Sequence, residues 1–432
     1  MTQAARFRFV HVADVHLGYR QYGLEERADD FTRAFESVVR YCRDVRPDAV
    51  ILAGDLFDSK TTEPKFYAAA DGGLAQLGAA GIPVVAVEGN HERWYRRDAR
   101  SWLWQLSRHG RLRLLQQFDP PREGIRWTPW TAERGAGAYT DIGPVRMFGV
   151  EYLGARLRSV LPEVVGAAQA TPSAGVAAGI GVLHTAVAEG APFAPGGVTI
   201  EDLQPLRAIA DYLALGHVHQ RYELPAGDPW IFNPGSLEAH TILEAVDGDG
   251  LEGAGRARGL FDVTVDLARP ARVRARFVDD AIARRPFLRL WLGVDAAPSF
   301  ESLVANVQSR LQAVEPPAGR PPVVELLLRG RLHFERAQLD AARLLGLVEE
   351  RFRPLHARLT LELRAPGEVG APQRRASRSE LEREVLRGLI DPALAPGERA
   401  DAWARAAQEL KQAALEGRPV EEQARLVEAT LD

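Results

Sequence analysis

The chain has 432 residues and 46% hydrophobic content, an ordinary globular composition whose length corresponds to roughly three domains. The formal net charge is −4, so no global positive field draws it to nucleic acid, and any such surface must be local. A single cysteine, Cys42, excludes an internal disulfide, and no apolar run approaches the ~20 residues that a membrane span needs.

The first strand-like run is Phe7 to Ala13, with no basic segment followed by an apolar one before it, which predicts a cytoplasmic protein. Cys42 lies in the helical run Phe31 to Arg43 among Phe35, Val38 and Val39, and so reads as a buried structural thiol. Further strands are predicted at Ala49 to Ala53, Val84 to Val87, Arg146 to Val150, Gly181 to Leu183 and Tyr212 to Leu215, with closing strands at Gly259 to Val265 and Val273 to Phe277. Their alternation with helical or loop segments predicts a layered α/β domain over residues 1–280. Within it the glycine-rich stretches 165–181 and 247–255 read as surface loops.

Residues 281–365 read as a small βαβαβ domain, with strands at Phe287 to Val294, Val323 to Leu328 and Ala357 to Leu363 and helices between them. In the last strand Leu359, Leu361 and Leu363 alternate with Arg358, Thr360 and Glu362, giving one buried and one wet face. Residues 366–377 read as a linker and 378–432 as a helical segment that begins with the capping box Ser379 and Glu382. Its short apolar stripes, such as Leu381, Val385, Leu386, Leu389 and Ile390, can hardly bury one another. They predict docking on the parent domain or on a partner protein.

Metal-ligand side chains concentrate in five islands: Asp14-Val15-His16, Gly54-Asp55, Gly89-Asn90-His91-Glu92, His184, and Gly216-His217-Val218-His219. Each follows a predicted strand, and open α/β sheets place ligand sites at the carboxyl ends of strands. Alternate side chains on an extended backbone point the same way, so Asp14 and His16 can reach one ion. Gly54 permits a tight turn that presents Asp55, whose carboxylate can bridge two metals roughly 3.5–4 Å apart. Asn90 offers a neutral oxygen, while Gly89 and Gly216 keep a crowded approach open. Such nitrogen and oxygen donors suit two borderline-to-hard divalent cations. Alone, His184 would read as a hydrogen-bonded core residue; order and strand-end position join it to the rest.

The islands resemble those of the calcineurin-like metallophosphoesterases. The longer motifs Phe9-Val10-His11-Val12-Ala13-Asp14-Val15-His16-Leu17-Gly18, Ala53-Gly54-Asp55-Leu56-Phe57-Asp58, Leu215-Gly216-His217-Val218-His219 and Asn233-Pro234-Gly235-Ser236 resemble the SbcD-type DNA double-strand-break repair nucleases within them. That resemblance implies an α/β, calcineurin-like layered sandwich with a small α+β capping domain and a C-terminal helical partner-binding segment. It implies that Asp14, His16 and His219 hold one metal, that Asn90, His184 and His217 hold the other, and that Asp55 bridges them. His91 would ligate neither, standing near the scissile phosphate to protonate the leaving oxygen or stabilise its charge.

The same resemblance implies two divalent ions, with Mn2+ as their identity, and DNA phosphodiester hydrolysis by metal-activated water. The expected activities are 3'-5' exonuclease on duplex ends and endonuclease on single strands or hairpins. Expected partners are DNA, a second copy in a homodimer, and an SbcC-type coiled-coil ATPase bound through residues 378–432, in the cytoplasm at the nucleoid and away from membranes. The alternative is a calcineurin-like phosphodiesterase or phosphatase acting on a non-DNA substrate, against which the segments after Asp280 argue. An adaptor with a decayed site is opposed by the competent residue at every ligand position.

Two positions depart from the family pattern, which often has Asp at Glu92 and sometimes His at Asp58. Glu92 reads either as orienting His91 or as a surface acid, and Asp58 as capping its loop or backing a ligand. Lys60, Lys65 and Lys411 are the only lysines, so arginine carries the positive charge, which suits bidentate phosphate contacts. In Arg93-Trp94-Tyr95-Arg96-Arg97-Asp98-Ala99-Arg100 basic and aromatic residues interleave, making Arg93, Arg96 and Arg97 candidate DNA contacts, with a solvated helix face as the plainer reading. His11, His109, His240, His333 and His356 match no ligand position and read as structural.

Overall fold

A computed structural model of the chain describes residues 6–93, 100–117, 125, 127–191, 197–245, 258–268, 271–364, 398–415, 422 and 425. The chain forms two compact units, residues 1–364 and 365–432. In the first, β1 (Arg6–Val12), α1 (Glu25–Val45), β2 (Ala49–Leu52), α2 (Pro64–Ala79), β3 (Val84–Ala86), α3 (Trp102–Arg108) and β4 (Arg113–Leu114) lead the chain. A second series follows: β5 (Tyr139–Ile142), β6 (Val145–Val150), α4 (Leu157–Gln169), β7 (Ala178–His184), α5 (Ile200–Leu203), β8 (Tyr212–Gly216), β9 (Tyr222–Leu224), β10 (Ile231–Asn233) and α6 (Ile242–Ala245). The chain then returns to the first sheet with β11 (Leu260–Asp266) and β12 (Arg272–Val278).

These strands make two six-stranded sheets, ordered β12-β11-β1-β2-β3-β4 and β5-β6-β7-β8-β10-β9. Their facing surfaces share a core that includes Phe9, Ile51, Val85, Val145, Ile180, Tyr212, Phe232 and Phe261. On β1 the period of two sends Phe7 and Phe9 to that core and Val10 and Val12 to the outer one, where Phe35, Val38 and Leu74 of α1 and α2 cover the sheet. Leu157, Leu161 and Val164 of α4 cover the second sheet in the same way. The product is a four-layer α/β sandwich, and the parallel neighbours β2 and β3 are apolar throughout because both faces are buried.

His11 ties the sheets together: its Nε2 donates to the Leu215 carbonyl at 3.0 Å, leaving Nδ1 to accept from the Tyr212 hydroxyl at 2.9 Å. Burial pushes its pKa down to about 3, so it is a neutral structural histidine. Cys42 is fully buried, and burial pushes its thiol up to about 12.

Residues beyond β12 form a three-stranded parallel sheet of β13 (Phe287–Gly293), β14 (Val323–Arg331) and β15 (His356–Arg364), with α7 (Phe300–Gln312) and α8 (Ala341–Phe352) packed against it. Ser299 and Asp340 cap the two helices through their side chains. This layer has its own core, around Leu303, Val307, Leu326, Leu328 and Leu344. Buried charge joins it to the sandwich, since Asp30 of α1 accepts from Arg27 at 2.6 Å, from Arg33 at 3.0 Å, from Arg285 at 2.5 and 3.1 Å, and from Arg320.

In the second unit, Glu398–Leu415 is helical and is here called α9, within the helical segment expected over 378–432. The linker over 366–377, the capping box at Ser379 and the stripe from Leu381 to Ile390 lie outside the described residues. No helix among the described residues is long and apolar enough to cross a membrane.

Candidate metal centre

The loops after β1 and β2 run side by side, with the amides of Asp14, Val15, His16 and Leu17 donating to the carbonyls of Gly54, Asp55, Asp55 and Leu56 at 2.9–3.2 Å. This pairing holds Asp14 and Asp55 together at adjacent strand ends. It also forces unusual backbone: Asp14, His16, Asp55 and His217 have φ of 51, 50, 52 and 95°, a region L-residues seldom adopt. Four such residues at one place store strain that the surrounding hydrogen bonds must hold, a pattern associated with function.

Three glycines make room for the cluster. A Cβ on Gly89 would lie 1.9 Å from Asp55 Oδ1, one on Gly54 2.2 Å from His184 Nδ1, and one on Gly216 2.2 Å from the Ala53 carbonyl. Only a residue without a side chain fits at each.

Donor atoms lie within 4.8 Å of one another in three sets: Asp14, Asp55 and His184; His16, Asp55 and His91; and His16, His219 and His240. Asn90 joins them through its Oδ1, 3.1 Å from His184 Nε2 and 2.8 Å from His217 Nδ1. The seven positions expected to bind metal are thus gathered at one place. His184 Nδ1 donates to the Ala53 carbonyl at 2.8 Å, which orients the ring and leaves Nε2, 3.2 Å from Asp55 Oδ2, facing the cluster. Asp14 accepts from the His217 amide with both oxygens at 3.0 Å, and Asp55 Oδ1 accepts from the His91 amide at 3.0 Å.

Burial alone would raise the Asp55 carboxyl, but the imidazoles of His184, then His16 and His91, hold it well below the usual carboxylate range. His184, despite burial, is lifted to about 9 by Asp55 and then Asp14. His217 is pushed down to about 4, by burial and then by His184. Divalent cations would replace the protons that this charge pattern attracts, and the nitrogen and oxygen donors fit them. A further sign of fit is His16 Nδ1, which is buried without a hydrogen-bond partner.

His91 differs from the other imidazoles. Its side chain is 39% exposed, whereas that of His184 is 0% exposed, and its Nδ1 donates to the Asp58 carbonyl at 2.6 Å, leaving Nε2 as the ring's proton-accepting nitrogen. Asp58 also places its carboxylate 3.3 Å from His16 Nδ1 and 3.8 Å from His91 Nδ1, so it backs both rings.

Several sequence expectations need correction. Glu92 is neither a surface acid nor a partner of His91: it is 2% exposed and accepts from the amides of Asp55, Phe57 and Gly89 at 3.2, 3.0 and 3.1 Å, stapling two loops. Burial and then the charge of Asp55 push its carboxyl up to about 8. Arg93 is not a free phosphate fork, because it is 3% exposed and its guanidinium meets the Tyr152 carbonyl and Glu151. Arg96 and Arg97 lie outside the described residues. His240, read as structural, stands at the cluster, its ring 4.1 Å from that of His219 and 4.4 Å from that of His16.

Two contributors escaped sequence reasoning. Glu244 of α6 lies 3.4 Å from His219 Nδ1 and raises that imidazole's pKa against burial, a carboxylate behind a histidine as metal sites commonly use. Tyr152, just after β6, packs its ring 5.2 Å from that of His217. The Glu four residues after His240 in a short helix was the one available signal.

The chain is similar in sequence to several curated proteins. The chain is 31% identical to the DNA double-strand break repair protein Mre11 of Methanopyrus kandleri over 63% of its own length and 56% of that protein's. It is 33% identical to the protein of the same name from Archaeoglobus fulgidus (55% and 52% covered) and 29% identical to that from Methanosarcina mazei (57% and 37% covered). The chain therefore spans between 37 and 56% of these relatives' lengths. Residues 7–221, which carry all five islands, match the calcineurin-like phosphoesterases, and this stretch of the chain is a domain of that family.

Proposed function

We propose that the protein is a DNA nuclease, the cutting subunit of a double-strand-break repair assembly, working with two divalent ions whose identity is Mn2+. The observation that carries this reading is the convergence of seven donors on strained strand-end backbone, with a separate exposed imidazole beside them. The relatives named for double-strand break repair support DNA as substrate. Asp14, His16 and His219 would hold one cation and Asn90, His184 and His217 the other, with Asp55 shared. Bound there, the cations would supply Lewis acidity, neutralising phosphate oxygens and acidifying water at neutral pH.

The chain's own groups define the remaining roles. Nδ1 of His91 is committed to the Asp58 carbonyl, so Nε2 is the atom that would carry a proton to the departing sugar oxygen. Asp58 fixes that ring, and the Asp55 carboxylate fixes its backbone through the His91 amide. In this reading the chain digests duplex ends 3'-5' and cuts single strands or hairpins, the β13–β15 layer caps the DNA-binding face, residues 378–432 bind an SbcC-type coiled-coil ATPase, and the protein is a homodimer.

The test uses the full chain with its ATPase partner, Mn2+ and end-labelled linear duplex. Wild type should degrade it, Asp55→Ala should lose both cleavage and a metal equivalent, and His91→Ala should keep two equivalents while turnover falls about 10²–10⁴-fold. Equal cleavage by all three proteins refutes the assignment.

A further inference from the structure

Among the described residues, His240 is the imidazole at the centre that neither the expected ligand set nor the proton-transfer role uses. It is 9% exposed, and both ring nitrogens are buried with no hydrogen-bond partner. Its ring meets those of His16 at 4.4 Å and 80°, His219 at 4.1 Å and 35°, and Tyr19 at 4.4 Å, and Phe31 closes the far side at 4.9 Å. A donor of His240 lies within 4.8 Å of donors of His16 and His219, the three forming one potential ligand set. The backbone around it is held firmly: the His240 amide donates to Glu244 Oε2 at 3.0 Å, and its carbonyl accepts from Gln21 Nε2 at 2.8 Å and from the Tyr19 hydroxyl at 3.3 Å.

A histidine kept only for packing among aromatic rings would bury two polar atoms for no return, and phenylalanine would serve better. A metal ligand, by contrast, needs a nitrogen lone pair aimed at its neighbours' donors and not spent on another partner. We infer that His240 is an additional ligand of the cation held by His16 and His219, giving that half of the centre a third imidazole. This inference rests on the two-metal reading of the site. Its consequence is a division of labour by metal chemistry. The His16, His219 and His240 half is nitrogen-rich and selects against Mg2+ and Ca2+, which prefer oxygen ligands, whereas the Asn90 half is more tolerant of them. Glu244, behind His219 and 3.8 Å from His240 Nδ1, would steady both rings.

The experiment strips the full chain with a chelator and titrates it with Co2+, followed by calorimetry and visible absorption, beside His240→Phe and His240→Gln. The expected result is two equivalents in wild type. His240→Phe should bind one of them at least about 10-fold more weakly, the lower bound seen even for groups that only support a ligand, with an altered Co2+ spectrum. His240→Gln, which keeps an oxygen donor, should recover part of the loss. Histidine 15N NMR of wild type decides independently of how the variants fold: Zn2+ should shift a His240 ring nitrogen. Two equivalents bound with unchanged affinity and spectrum in both variants, or a His240 resonance indifferent to Zn2+, overturns this inference alone. Fewer than two equivalents in wild type overturns the two-metal reading as well.

Discussion

Two clusters of buried charge lie in the first unit, one around Asp30 and one around Asp55, and they are finished differently. At Asp30 the arginines are matched by acceptors: Arg27 places its three nitrogens on Gln21, Asp30 and the Ala239 carbonyl at 2.6–3.0 Å, and Arg285 spans Asp30 and the Pro321 carbonyl. At Asp55 the polar atoms crowd together on strained backbone, yet His16 Nδ1 and both nitrogens of His240, though near carboxylates, make no hydrogen bond. A complete cluster is structure, whereas an incomplete one is shaped for something brought from outside.

Breaking that contrast at Asp30 should have the largest effect. Asp30→Ala leaves the buried Arg27 and Arg285 without their shared carboxylate and should cost about 3–5 kcal/mol of stability, read as a fall in Tm that metal does not rescue. Gly89→Ala tests the other cluster, because its Cβ would displace Asp55. It should lower turnover about 100-fold, the scale of an ångström's misplacement, with a much smaller shift in Tm than Asp30→Ala gives. Were both variants to lose stability alike, the distinction between a finished and an unfinished cluster would collapse.

Sequence reasoning reached the incomplete cluster better than the complete one, for a physical reason. Gly54, Gly89 and Gly216 stand beside the acids and histidines they admit, and strand ends follow from periodicity, so both signals are local. The positive φ of Asp14, His16 and Asp55 is imposed by pairing between loops some forty residues apart, and nothing in an Asp or His announces it. Arg93 reads as a surface cation until Glu151 and Tyr152, which follow 58 and 59 residues later, are folded against it. His240 and Glu244 come after the last island, where no strand or glycine marks them. The Asp30 network was invisible because its arginines come from Arg27, Arg33, Arg285 and Arg320, scattered among the chain's many others.

Smaller effects sharpen the picture. Glu244→Gln removes the carboxylate behind His219 and should weaken one metal equivalent about 10–100-fold in a calorimetric titration, with the other unmoved. Asp262 supplies a third, peripheral case: burial opposes its ionisation, but hydrogen bonds from Arg8, Tyr41 and Arg276 pull its pKa down to about 2. A carboxyl depressed on folding contributes stability in full above its unfolded pKa of about 3.9 and loses it as pH falls toward 2. Discounted for its exposed arginine partners, that contribution is about 1 kcal/mol. Asp262→Asn should therefore be slightly less stable at pH 7 and should flatten the loss of Tm between pH 4 and pH 2. An unchanged acid profile would remove Asp262 from the finished class.

The paired loops after β1 and β2 carry one more consequence. With the amides of Val15, His16 and Leu17 each closed on a carbonyl across the gap, and Glu92 closing Asp55 and Phe57 from the other side, neither loop can open without the other. Local fluctuations cannot release these amides to solvent, so their hydrogen exchange should proceed only through global unfolding. The two aspartates then act as a calliper whose setting is tied to the same hydrogen bonds that close both loops.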